Sequence, residues 1–178
     1  MARYAALLRG VNVGGRNKVA MADLRILLGD LGFTGVKTLL QSGNAIVDAG
    51  TEDRAAVSAR IAAALTERYE RVIGIVLVTR ADLDRVVAGE PFGEVATNPS
   101  RLLVTFLSGP PDPALFAADD PADYAPDRYV LGEREIYTWM PGLGGDTKLT
   151  PQFWAKRLPG LVATARNWNT VLKLRDLL

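Results

Sequence analysis

The stretch from Val36 to Val78, VKTLLQSGNAIVDAGTEDRAAVSARIAAALTERYERVIGIVLV, decides the fold. Val36 to Gln41 and Ala45 to Val47 are short β-prone runs on either side of Ser42-Gly43-Asn44, which suits a hairpin turn. Arg54 to Tyr69 then places Val57, Ile61, Ala64 and Leu65 on one face at helical spacing. Ile73 to Val78 is again apolar and β-rich. The order strand, strand, helix, strand is three quarters of a known supersecondary plan.

The missing quarter lies upstream. Arg3 to Arg9 reads as a short buried strand, and Met21, Leu24, Leu28 and Leu31 recur at helical spacing until Gly32 stops the helix. Residues 1–80 therefore follow the β-α-β-β-α-β order of a ferredoxin-like unit. Downstream, Asp82 to Val87 predicts a short helix, and Gly89 to Arg101 a loop with two prolines. Leu102 to Leu107 predicts a strand, followed by a proline-rich bend and a weak helix around Ala114 to Ala118. Asp119 to Asp123 reads as an exposed loop. Arg128 to Leu131 and Glu135 to Trp139 form a hairpin about Gly132-Glu133, and Thr150 to Leu158 a helix with Pro151 in its first turn. Leu161 to Ala165 predicts a last strand and Trp168 to Leu178 a terminal helix. The expectation is an α+β chain of two βαββαβ (ferredoxin-like) halves, the second less regular and carrying the C-terminal helix. The first half is expected over residues 1–80, a short helix and linker over 81–101, and the second half over 102–178. The halves share no convincing sequence repeat.

Bulk composition narrows the chemistry. With 178 residues, 48% of them hydrophobic, the chain needs no staple to fold. It contains no cysteine, which excludes disulfides, thiol nucleophiles and thiolate metal sites. It contains no histidine either, so a Ser-His-Asp triad cannot be assembled and the commonest zinc ligand is absent. The spacing of acids suggests no carboxylate metal site, and no cofactor is nominated. The apolar run Tyr4 to Leu8 is too short for a signal peptide, and no stretch approaches the roughly 20 apolar residues of a membrane helix. Cytoplasmic residence without a membrane partner is the default expectation.

The net charge is +1, but its distribution is uneven. Met1 to Ala22 holds the bases Arg3, Arg9, Arg16 and Lys18 and no acid. Thr147 to Leu178 holds six bases against Asp176 alone, whereas Asp82 to Glu135 holds eleven acids and four bases. Both ends are basic and the middle is acidic, a pattern that a solvated surface also produces.

Four segments could carry chemistry. Arg9-Gly10-Val11-Asn12-Val13-Gly14-Gly15-Arg16-Asn17-Lys18 joins the first strand to the first helix. A glycine turn before a helix N-terminus can gather backbone N–H groups on an anion, with Arg9, Arg16 and Lys18 adding charge and Asn12 and Asn17 adding amides. It lacks the Gly-Lys-Ser/Thr of a P-loop and the dinucleotide fingerprint, and its glycines also suit an ordinary flexible loop. Gln41-Ser42-Gly43-Asn44 offers amides and a hydroxyl, though a tight hairpin selects the same residues. Ser42 would need a lysine base to act as a nucleophile, and no spacing supports one. Pro141 to Lys148 repeats the Gly-Gly-x-x-Lys spacing of Gly14 to Lys18 and offers Thr147 and Lys148. In Arg166-Asn167-Trp168-Asn169-Thr170, Asn167 suits an N-cap, Trp168 either core packing or stacking on a base or ring, and Arg166 an anion.

Taken together, these motifs resemble the bacterial family known as domain of unknown function 1697. The resemblance runs through Leu7 to Gly15, Met21-x-x-Leu24-Arg25 and Gln41 to Asn44, and resumes at Thr147-Lys148-Leu149 and Arg166 to Val171. The family more often has Ser where Thr147 stands, which keeps the hydroxyl. The resemblance implies an α/β protein with a ferredoxin-like N-terminal part, and brings no activity, substrate or cofactor.

Three functions compete. The first is binding or processing of a small anionic, phosphate-bearing ligand, with Arg9, Lys18, Lys148 and Arg166 expected in one cleft. The second is RNA or single-stranded nucleic-acid binding on a ferredoxin-like sheet, for which the sequence lacks paired stacking aromatics. The third is an interaction module with no ligand of its own. Whether the chain is an enzyme, and its oligomeric state, are left open by the sequence.

Overall fold

A computed structural model of the chain describes residues 2–142 and 147–178. In chain order the elements are β1 (Arg3–Leu8), α1 (Met21–Asp30), β2 (Thr34–Leu39), β3 (Asn44–Asp48), α2 (Arg54–Tyr69), β4 (Ile75–Val78) and α3 (Arg80–Ala88). They continue with β5 (Leu102–Leu107), β6 (Arg128–Leu131), β7 (Glu135–Trp139), α4 (Pro151–Arg157), β8 (Ala163–Asn167) and α5 (Trp168–Leu177). The strands form two four-stranded antiparallel sheets ordered β2-β3-β1-β4 and β6-β7-β5-β8. Each is the ferredoxin-like order, so the chain is α+β with two such halves and a C-terminal helix. It divides into two compact units, Met1–Asp84 with Leu174–Leu178, and Arg85–Lys173.

In the first unit the periodicities translate directly. Tyr4, Ala6 and Leu8 of β1 join Ala45, Val47, Ile75 and Leu77 on the sheet face that packs against Leu24 and Leu28 of α1 and Val57, Ile61 and Leu65 of α2. Helix α1 ends as its sequence demands. Gly32 sits at φ +83°, its N–H donates to the Gly29 carbonyl at 2.8 Å, and the Phe33 N–H reaches back to Leu28 at 3.2 Å. This paired closure, with Phe33 buried beside it, is the glycine-dependent helix stop. Asp53 caps α2 by accepting from the Ala56 N–H at 2.9 Å.

The β2–β3 hairpin departs from the expected registers. β2 begins at Thr34 through a bulge between Thr34 and Lys37, with Gly35 at φ +61°, and ends at Leu39 rather than Gln41. Asn44 is the first residue of β3, not part of the turn. The cause is polar satisfaction: the Leu39 carbonyl accepts from the Asn44 side chain at 2.8 Å, and the Gln41 carbonyl from Asn12 at 2.7 Å. The turn is held by amides, not by further ladder.

In the second unit the place of α1 is taken by two short 3₁₀ turns, Pro113–Phe116 and Pro121–Tyr124, where the sequence suggests a weak helix around Ala114 to Ala118. Asp112 and Asp120 cap them, accepting from the Ala114 and Ala122 N–H groups at 2.9 Å each. Asp-Pro steps start such turns well, and the dense prolines remove the donors that a longer helix needs. Asp119 is not an exposed loop residue: its side chain is 8% exposed and paired with Arg157. Thr150 caps α4, accepting from the Phe153 N–H at 3.2 Å, and Asn167 caps α5, accepting from the Thr170 N–H at 3.0 Å. Leu107, Phe116, Ile136 and Leu158 form a core with Tyr129 and Trp154 packed on it.

Candidate functional site

In the first unit, strand pairing brings the first two candidate segments together. β1 ends where β3 begins, with Leu7 opposite Asn44, so the Arg9–Lys18 loop leaves the sheet beside the Gln41–Asn44 turn. The Leu8 N–H donates to the Gly43 carbonyl at 2.8 Å. The fit is close: a Cβ on Gly43 would lie 2.4 Å from Val11 Cγ2 and 2.9 Å from Leu8 Cβ.

Asn12 organises the loop. Its backbone is at φ +56°, its amide nitrogen donates to the Val19 carbonyl at 2.8 Å and the Gln41 carbonyl at 2.7 Å, and its Oδ1 accepts from the Val19 N–H at 2.9 Å. Asn17 donates to the Gly10 carbonyl at 3.0 Å. Gly14 and Gly15 form the tip of a small hairpin closed by the Arg16 N–H on the Val13 carbonyl at 3.0 Å. Both have positive φ, as a type I′ turn requires. Asn12, Asn17 and the two glycines thus shape the loop, while Arg9, Arg16, Lys18 and Gln41 are exposed on it. Among the described residues the three cations make no ion pair with a carboxylate.

A fourth cation joins them that the sequence reading did not nominate. Arg71 donates to the Asn17 Oδ1, and its Nε is closed off from solvent without an acceptor. Its guanidinium lies 6.0 Å from the centre of the Tyr69 ring. Burial pushes the Tyr69 phenol above its usual range, with the Asp23 carboxylate adding to the effect. Asp23 stands in the first turn of α1, whose N-cap Ala20 offers no side-chain acceptor. The signal for Arg71 was topological. β4 runs beside β1, pairing Ile75 with Leu8, so residues just before β4 meet those just after β1.

The remaining candidates belong to the second unit. Leu143 to Asp146, which hold the second Gly-Gly pair, lie outside the described residues. Thr147 accepts from the Leu149 N–H at 3.1 Å, and Lys148 is exposed. Arg166 is in β8 and 7% exposed, donating to Thr164 Oγ1 and to the Ala165 carbonyl, each at 2.7 Å. Burial pushes its guanidinium down to about 10, still protonated at neutral pH. Asn167 is occupied as a cap, and Trp168 opens α5 half-buried. β7 and β8 both end beside the start of β5, where Trp139 pairs with Leu102 and Asn167 with Leu103, so these two segments leave the second sheet at one end.

Among the described residues no three acids are placed to hold a metal ion, and no helix is long and apolar enough to cross a membrane.

The fold has a solved counterpart. A conserved bacterial protein from Streptococcus pneumoniae superposes with a TM-score of 0.77 over 98% of this chain and 97% of its own, at 22% identity. That similarity speaks to the fold alone. No curated protein matches the chain. The family model described as protein of unknown function (DUF1697) matches residues 1–137, through all of the first unit's loop and turn and into β7. The chain is a member of that family.

Proposed function

We propose that the chain binds a small anionic, phosphate-bearing ligand at the Arg9–Lys18 loop of the first unit. The observation that carries this reading is the gathering of Arg9, Arg16, Lys18 and Arg71 around one loop without a described carboxylate in ion-pair contact. A guanidinium cluster on a pinned backbone matches a phosphate's oxygens. The Asn12 hydrogen bonds hold the backbone, so less ordering is required when a ligand arrives. The exposed Gln41 amide adds a neutral donor beside the charges.

RNA stacking on the first sheet is less well supported. The central strands β1 and β3 carry one aromatic, Tyr4, and its ring belongs to the core beneath the helices. A base-stacking platform needs rings on the other face.

Titration of the full chain with inorganic pyrophosphate, followed by amide NMR, tests the reading. Saturable shifts are expected from Arg9 to Lys18 and at Gln41 and Ser42. Binding weakens as sodium chloride rises from about 0.05 M to about 0.3 M, because exposed charges are screened. The double variant Arg9→Ala/Lys18→Ala loses affinity at least about tenfold, which corresponds to about 1.4 kcal/mol. Shifts elsewhere in the chain, or an unchanged affinity in the double variant, overturn the proposal.

A further inference from the structure

The second unit holds a cavity of about 740 Å³, within the range of small-molecule sites. Its wall is mainly apolar, contributed by Phe92, Phe116, Tyr124, Tyr129 and Leu131. The Tyr129 hydroxyl is engaged by Asp119, so that ring offers the cavity chiefly carbon. Asp119 is itself neutralised by Arg157, whose Nε donates to Oδ2 at 2.9 Å.

Asp127 is the exception in this wall. It is 7% exposed, and among the described residues it has neither a hydrogen-bond donor nor a cation as partner. Its carboxylate oxygens retain some accessible surface. With no protein partner, the carboxylate is left to the accessible space beside it, and the residue lines the cavity. Arg128, the neighbouring residue in the wall, is exposed and solvated, so its charge acts more weakly on an occupant. The surroundings are acidic as well, with Asp120 capping the second 3₁₀ turn and Asp123 within it. The local field therefore favours a cation.

We infer that this cavity binds a small molecule with an apolar or aromatic body and a protonated amine, the amine pairing with Asp127. The site is distinct from the basic loop of the first unit, and its ligand has the opposite charge. Rings around an ammonium group add cation–π attraction to the ion pair.

Three probes of one shape test the inference in the full chain: phenethylamine, neutral 2-phenylethanol and anionic 3-phenylpropanoate. Phenethylamine is expected to shift amide resonances from Ala122 to Leu131 saturably, with a Kd below about 1 mM. The alcohol should bind at least about tenfold more weakly, and the carboxylate not measurably. Asp127→Asn keeps the shape and removes the charge, so it should abolish the preference for the amine over the alcohol. Ala122→Trp, at an exposed rim position, should block both, and keeps the test readable should Asp127→Asn fail to fold. The inference is overturned if the carboxylate binds as well as the amine. It is equally overturned if Asp127→Asn leaves the preference intact, or if the amine produces no saturable shift.

Discussion

The Arg157 guanidinium grips the Asp119 carboxylate at both oxygens, with Nε 2.9 Å from Oδ2 and an Nη on Oδ1. Tyr129 donates its hydroxyl to the same carboxylate, and Arg157 lies over the Phe153 ring at 3.9 Å from its centre. The pair is 20% and 8% exposed, and it links α4 to the segment between the two 3₁₀ turns. The Arg157 hydrogen bond holds the Asp119 carboxyl below the usual carboxylate range, against the opposing effect of burial.

A carboxyl whose pKa is depressed by folding stabilises the fold above its unfolded pKa, and that stabilisation is lost as pH falls through the folded value. Asp119→Asn should therefore cost about 2 kcal/mol near neutrality, between the values for exposed and fully buried pairs. The difference from the parent should be constant from about pH 5 to 8 and shrink below about pH 4. Urea midpoints measured for both proteins across that range check it. A difference that persists undiminished at pH 2 assigns the loss to packing.

Asn12 carries two separable burdens, a left-handed backbone and three side-chain hydrogen bonds. Asn12→Gly keeps the first and loses the second, which should destabilise by about 2 kcal/mol. Asn12→Ala loses both and should cost about 1 kcal/mol more, because a Cβ resists that conformation. Comparison of the two by urea unfolding isolates the backbone contribution.

Two glycines with similar φ make a sharp contrast. Gly50 at φ +62° has nothing within 4 Å of a built Cβ, whereas Gly43 at φ +74° would drive one into Val11 and Leu8. Gly50→Ala should cost about 1 kcal/mol, the backbone penalty alone. Gly43→Ala should cost about 3 kcal/mol, adding the strain of overpacking. Hydrogen exchange at the Leu8 amide, which donates to the Gly43 carbonyl, should accelerate in the second variant and not in the first.

Asn167→Ala should lower stability by about 1 kcal/mol through the lost cap on α5, and Asn167→Asp should restore most of it. Thermal unfolding of the three proteins distinguishes this from a role confined to ligand contact, which would leave the melting temperature of the unliganded chain unchanged.

The elements with strong periodicity were legible in the sequence. The stop of α1 at Gly32 and the whole span of α2, from the residue after Asp53 to Tyr69, follow from local chemistry alone. The β2–β3 hairpin shifted because Asn12, some thirty residues upstream, claims a carbonyl in it, and no local reading contains that contact. The second half was less legible because its turns depend on proline placement, not on hydrophobic period. Asp119 looked like a solvated acid in an Asp-rich run, and only the arrival of Arg157 from α4 distinguishes it from Asp120. In the basic loop the charged residues were visible in the sequence, but the structural duty of Asn12 and Asn17 was not. Arg71 could have been placed by combining the ferredoxin-like strand order with its position just ahead of β4.

The two halves share a strand plan but fill it differently. In the first, α1 inserts Met21, Leu24 and Leu28 beneath its sheet as a row of flexible aliphatic side chains that mould to one another. In the second, that cylinder is missing, and Tyr124, Tyr129, Phe153 and Trp154 brace edge to face across the space, with Phe116 tilted against Tyr129. A hollow remains between the turns and β6, lined in part by Phe116, Tyr124 and Tyr129. Two Asp-Pro corners in place of a helix thus leave a vestibule in the second half while its strand order matches that of the first.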